Sequence, residues 1–195
     1  MHHSFSITYD YLCPFARNAN ETIVEAIRGG ADLDVVFVPY SLREAHATEE
    51  ETAQWDLPCG QLGAGVLALL WSVAVRDNQP DSFMDFHVAM FSARHDDGAD
   101  INNDNVIRGV VEAVGLNART LYDHVASGVP AQVLADEHTS AAEVHGVFGV
   151  PTFMQGDDAV FVRFMDRHEV RDLEKVLEML SWENLNEFKR TTIGR

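Results

Sequence analysis

Ser4-Phe5-Ser6-Ile7-Thr8-Tyr9-Asp10-Tyr11-Leu12-Cys13-Pro14-Phe15-Ala16 changes from one backbone period to another around a single cysteine. Phe5, Ile7 and Tyr9 alternate with Ser4, Ser6 and Thr8, the period-two pattern of a strand with one face on a core. Asp10 to Cys13 reads as a turn. Pro14 then opens a helical pattern, at a position where its missing N–H has no intrahelical partner to lose. Phe15, Ala19, Ile23, Ala26 and Ile27 recur at helical spacing, and Gly29-Gly30 ends the run. Val35-Val36-Phe37-Val38, β-branched and aromatic, is the next strand, closed by Pro39. Strand, helix, strand with no hairpin between implies a parallel pair joined by a right-handed crossover.

Further along, from about Leu62 to Phe148, only helical periodicity is present. It predicts helices over Leu62–Arg76, Ser82–His95, Val106–Val114, Ala118–Ala126 and Pro130–His145, with Asp81 or Ser82 capping the second and Asp96–Asn105 as a polar loop. Strands return at Pro151–Met154 and Ala159–Phe164 around the turn signal Gly156-Asp157-Asp158. A last amphipathic helix follows over Glu169–Leu180, and Glu183–Arg195 is a polar tail. The order is βαβ, a helical block, then ββα.

The chain has 195 residues, with 14 Lys+Arg against 31 Asp+Glu and a formal net charge of −17. Such a surface repels phosphate backbones and anionic lipid, and no basic cluster interrupts it, so neither nucleic acid nor membrane is an expected partner. Leu62–Val75, the longest apolar stretch, falls well short of the roughly 20 residues that span a bilayer. Cys13 and Cys59 are the only cysteines, too few for a disulfide scaffold. Met1–Asp10 alternates like a strand and shows no secretory pattern, so the expected compartment is the reducing cytoplasm. His2 and His3 read as incidental.

Two segments carry chemistry. Cys13 sits where free backbone N–H groups and the helix dipole favour a thiolate, so its pKa is expected to fall below the free value of about 8.5. The competing reading is a small buried apolar residue. Gly149-Val150-Pro151-Thr152-Phe153 places a proline at a strand entrance, where it cannot donate to the ladder. Together, Tyr11-Leu12-Cys13-Pro14-Phe15-Ala16 and Val150-Pro151-Thr152, with helices between them, resemble the DsbA-like branch of the thioredoxin superfamily. The resemblance implies a thioredoxin-like core of the α/β class, residues 1–60 and 147–195, with an all-helical insertion over 61–146. It implies Cys13 as nucleophile, Pro14 beside it, Pro151 as a cis-proline, and Tyr11, Phe15, Val150 and Thr152 around the substrate.

One position departs from that family. Its motif is Cys-x-x-Cys, and the second cysteine is here Ala16. Cys13 therefore lacks the neighbouring thiol that resolves a mixed disulfide in the usual cycle. Cys59, in Leu57-Pro58-Cys59-Gly60, is a distant alternative in sequence. A monothiol cycle remains open, with a low-molecular-weight thiol such as mycothiol or glutathione as co-substrate rather than a tightly bound cofactor, and a small electrophile or a protein disulfide as the target. The same wider group contains mycothiol-dependent reductases, 2-hydroxychromene-2-carboxylate isomerases and kappa-type glutathione transferases. A thiol-cofactor-dependent transferase or isomerase is thus the second reading, and a non-catalytic binding protein the third. Glu187-Phe188-Lys189-Arg190-Thr191 is similar to the mycothiol-dependent members. His138 and His145 share a helix face and are candidate charge partners of the thiol, and Asp10 and Tyr11 are candidates to tune it. Trp55 and Trp71 are candidate groove residues. His87, His95 and Asp96 have no ligand spacing, so no metal site is expected. Gly60-Gln61-Leu62-Gly63-Ala64-Gly65 follows no strand, which speaks against a dinucleotide loop.

Overall fold

The computed structural model describes residues 2–180 and 182. Four strands form one sheet in the order β2-β1-β3-β4, with β1 spanning His3–Tyr9, β2 Leu33–Pro39, β3 Thr152–Gln155 and β4 Asp158–Phe161. β1 and β2 run parallel, from His3 opposite Leu33 to Tyr9 opposite Pro39, joined through helix α1 (Pro14–Arg28). β3 pairs antiparallel to β1, and β4 to β3. The two-residue turn Gly156-Asp157 joins these last strands, Gly156 taking the positive φ of 60° that the turn needs. The result is a thioredoxin-like α/β fold whose βαβ and ββα units are separated in sequence by helices.

Those helices are a short α2 (Leu42–Ala45), two 3₁₀ turns (Gln54–Asp56 and Cys59–Gln61), then α3 (Val66–Asn78), α4 (Pro80–His95), α5 (Asp104–Ala113), α6 (Ala118–Ala126) and α7 (Val129–His145). α8 (Val170–Leu180) closes the described chain and packs on α1, β3 and β4, while α3 and α7 pack on β2. Several boundaries differ from the sequence reading; β4, for one, ends at Phe161 rather than Phe164. α3 begins at Val66, because Gly65 at φ 80° cannot continue into a helix from Leu62. α4 begins at Pro80, so Gln79, not Asp81 or Ser82, is its cap. α5 begins at Asp104 because Asn103 turns its side chain onto the Asn105 N–H.

α1 departs most from its pattern. Periodicity gives it one apolar face, yet Arg17, Asn20, Glu21 and Thr22 are buried beside Ala19, Ile23 and Val24. α4 covers one flank and α8 the other, so its polar positions are enclosed too. Each finds a partner, as buried polar groups must. Glu21 takes Arg17 Nε at 2.9 Å and Arg167 Nε at 2.6 Å, and Thr22 Oγ1 accepts the His168 N–H at 3.0 Å.

Candidate active site at the start of the first core helix

Cys13 caps α1 with extended backbone (φ −90°, ψ 117°). Its N–H donates to Asp10 O at 3.0 Å, which closes the turn out of β1, and its carbonyl accepts the Arg17 N–H. The sulfur is half-buried, accepts the Ala16 N–H at 3.4 Å and donates its own hydrogen to the Val150 carbonyl at 3.4 Å. The Val150–Pro151 peptide is cis. Pro151 and Val150 are buried, and Pro14 is exposed at the rim. The structure therefore brings together Cys13, Pro14, Val150 and Pro151, which lie far apart in sequence.

The electrostatics correct one expectation. Burial pushes the Cys13 thiol up from its ordinary value. The Ala16 and Phe15 N–H groups and the Arg163 charge pull it down, the Asp10 carboxylate pushes it up, and burial outweighs the helix terminus. The thiol's bond to Val150 O, which only the protonated form can make, acts in the same sense. Asp10 is fully buried, with its own carboxyl pushed up to about 6 by burial. It accepts the Leu12 N–H at 2.9 Å and the Leu42 N–H at 2.8 Å, stitching the turn after β1 to the segment after β2. Gly65 makes room for this turn: a Cβ there would lie 2.9 Å from the Leu12 side chain and 3.2 Å from Asp10 Oδ1.

Tyr11 and Thr152 are buried and bonded within the protein. Tyr11 is wholly buried, its hydroxyl 2.8 Å from His87 Nδ1 and 2.9 Å from Ser72 Oγ, so it joins the turn to α3 and α4 and does not reach the sulfur as a donor. Asn20 extends this network. Its amide N–H donates to Ala16 O, which leaves its Oδ1 for His87 Nε2 at 3.1 Å. His87 stays neutral, its pKa pushed down to about 3 by burial. Thr152 donates its N–H to Thr8 Oγ1 and its hydroxyl to Gly149 O, so it shapes the loop around Pro151 from inside.

Other candidates are placed elsewhere. His138 stacks on Tyr40 with ring centroids 4.2 Å apart and lies 5.4 Å from Trp55, and its Nδ1 is buried without a partner. It is thus packed between a core tyrosine and Trp55, and no contact of it or of His145 with the sulfur is present. Trp71 is fully buried, with Nε1 donating to Asp104 Oδ1 at 3.2 Å, so it is core and lines no groove. Cys59 is exposed in its 3₁₀ turn, and both cysteines are free thiols. The run Glu187–Thr191 lies outside the described residues. Among the described residues no group of His, Cys, Asp and Glu is arranged to hold a metal ion, and no helix is long and apolar enough to cross a membrane.

Sequence reasoning missed three site residues. Phe148, 70% exposed, lies 5.1 Å from Phe161 between ring centroids, and Phe161 packs over Gly149, where a Cβ would approach its ring to 3.3 Å. Arg163 lays its guanidinium over Phe15 and Phe161, 5.3 and 5.6 Å from their centroids. Phe148 was open to detection from its place beside Gly149-Val150-Pro151, whereas nothing local marks Phe161 or Arg163.

A cysteine capping the first core helix, facing the carbonyl before a cis-proline, is the arrangement of a thioredoxin-type thiol site. Residues 6–178 match the family model of the DSBA-like thioredoxin domain, and the chain belongs to that family. Similar solved structures include the thiol-disulfide exchange protein alpha-DsbA2 from Wolbachia pipientis, at TM-score 0.65 and 19% identity over 91% of this chain and 81% of that one. The cytosolic disulfide reductase DsbM from Pseudomonas aeruginosa, solved with GSH, gives TM-score 0.63 and 16% identity over 91% and 98%. A 2-hydroxychromene-2-carboxylate isomerase gives TM-score 0.65 and 15% identity over 93% and 98%. At these identities the likeness is one of fold. No curated protein matches the chain.

Proposed function

We propose that the protein is a cytoplasmic thiol-disulfide oxidoreductase that works through Cys13 alone, with a low-molecular-weight thiol as co-substrate. The observation that carries this reading is the sulfur's placement, on the Ala16 N–H and against the Val150 carbonyl, with the buried methyl of Ala16 where a resolving thiol would stand. In the first step the Cys13 thiolate attacks a disulfide R–S–S–R′. An S–S bond forms between Cys13 and R–S, and R′–S⁻ leaves. In the second step a thiolate R–S⁻ from the pool attacks the R sulfur of that mixed disulfide, releasing R–S–S–R and restoring Cys13. In net, one pool thiolate converts R–S–S–R′ into R–S–S–R and R′–S⁻, so R′ is the group reduced, and the Cys13 proton passes to solvent and back. Strong oxidants of this fold type owe their potential to a stabilised thiolate in the reduced state. The raised Cys13 thiol is the opposite case and supports the reductive direction.

The same raised thiol favours a second reading. A protonated Cys13 is a hydrogen-bond donor, able to hold the thiolate of a bound thiol cofactor in a transferase or isomerase. One experiment separates the two. Wild type, Cys13→Ser and Cys59→Ala are incubated with glutathione disulfide or mycothiol disulfide to read intact masses, and with the mixed disulfide of either thiol and cysteamine plus the matching free thiol to read disulfide-reductase rates. The proposal requires a one-thiol adduct and turnover in wild type and Cys59→Ala, both abolished in Cys13→Ser. Turnover that survives Cys13→Ser with another electrophile would favour the second reading. Loss of turnover in Cys59→Ala would make Cys59 the resolving thiol and end the monothiol cycle.

A further inference from the structure

The segment after β4 is fixed beside the sulfur's own loop. The Val162 N–H donates to Pro151 O at 3.2 Å, and Asn18 Nδ2 donates to Phe164 O at 2.9 Å. Arg163 lies between these two anchors and is exposed. It makes no ion pair among the described residues, although this chain carries 31 acidic groups. Its guanidinium instead lies over Phe15, which follows the nucleophile by two positions, and over Phe161, which packs on Gly149 of the cis-proline loop. Two aromatic faces hold the planar cation in place while leaving its N–H edges free. A guanidinium presents those edges as a fork that fits a carboxylate. Phe148, exposed against Phe161, extends the apolar rim. Arg163 acts on the Cys13 thiol as a positive charge, and its contact with Phe15 sets it over the residue two positions after the nucleophile.

We propose that Arg163, laid across Phe15 and Phe161, is the carboxylate-recognising residue of the Cys13 site, so that the small thiol used is one bearing a carboxylate. The inference rests on the monothiol reading and narrows it. A peptide thiol such as glutathione carries carboxylates, whereas a glycosidic thiol such as mycothiol carries none. The positive site also offsets, locally, the repulsion an anion meets on approaching a chain of net charge −17.

The test uses two alkylating reagents that differ only in charge. In a Cys59→Ala background, Cys13 is alkylated with anionic iodoacetate and neutral iodoacetamide over a full pH range, and the limiting thiolate rates are compared. Arg163→Ala should lower the iodoacetate rate roughly three- to tenfold, with iodoacetamide changing less than about twofold. Arg163→Lys should keep most of the preference, and Arg163→Glu should reverse it. Mixed-disulfide formation on Cys13 by glutathione disulfide should slow in the same order, while that by cystamine, whose ends are cationic, should hold or rise in Arg163→Glu. If both limiting rates fall in parallel, Arg163 acts on the nucleophile and not on the anion, and the inference fails with the monothiol reading intact. If wild-type Cys13 takes up no reagent and no small thiol, the monothiol reading itself fails.

Discussion

At Cys13, opposing influences act on one atom, and the enclosed position wins. The helix terminus offers the Ala16 and Phe15 N–H groups and Arg163 adds a positive charge, yet the sulfur lies half out of water against a carbonyl and near the Asp10 carboxylate. The alkylation rate of Cys13 should therefore rise with pH through a midpoint above that of an ordinary cysteine. Asp10, with its carboxyl at about 6, is ionised throughout the range in which the thiol titrates. Asp10→Asn removes that negative charge and should move the Cys13 midpoint downward, measured by iodoacetamide kinetics in the Cys59→Ala background. An unchanged or higher midpoint would show that the carboxylate does not reach the sulfur. Circular dichroism would monitor the fold in that variant, since an amide N–H₂ must then meet one of the two N–H groups Asp10 accepts.

The cysteine's element is held by its neighbours more than by its own sequence. α1 presents Cys13 at one end, while Asn20 within it anchors His87 of α4, and Tyr11 ahead of it anchors His87 and Ser72. α3 contributes through its first residue boundary. Gly65 holds φ 80° and leaves no room for a Cβ beside Leu12 and Asp10. Gly65→Ala should cost about 2 kcal/mol of stability, read from urea unfolding, from the left-handed backbone and the crowding together. It should also alter Cys13 alkylation, because the displaced side chains belong to its turn. Gly109 in α5 is the control. A Cβ there meets nothing within 4 Å, so Gly109→Ala should stabilise by up to about 1 kcal/mol and leave Cys13 alone.

Across the molecule, burial of titratable groups sets how stability follows pH. His138 is enclosed between Tyr40 and Trp55, and burial pushes its pKa down to about 4 from 6.5. A histidine depressed in the folded state supports the fold above its unfolded pKa, and that support is lost as pH falls from 6.5 toward 4. His87 acts in the same sense down to about 3. Asp10 acts oppositely, its raised carboxyl favouring the fold below its ordinary 3.8 and losing that effect as pH rises through about 6. His138→Phe keeps the stacking surface and removes one titration. Its stability relative to wild type should grow by about 1.4 kcal/mol for each pH unit between 6.5 and 4. A pH-independent difference in urea midpoints would place the ring in contact with water.

The backbone plan was open to reading in the chain because strand alternation, the Pro14 start, the Gly29-Gly30 stop and the Gly156-Asp157 turn are local signals. The nucleophile was legible for the same reason: the end of a strand and the start of a helix meet at Cys13 within a few residues, and Gly149-Val150-Pro151 marks a second special bend. What was not legible depends on which groups face each other after folding. Tyr11 lies beside Cys13 in sequence and turns into the core, while Arg163 lies far from it in sequence and stands over Phe15. The thiol's pKa belongs with these. A helix terminus can be read from residue types, but the desolvation that outweighs it exists only once the sheet, the cis-proline loop and the Asp10 turn have closed around the sulfur.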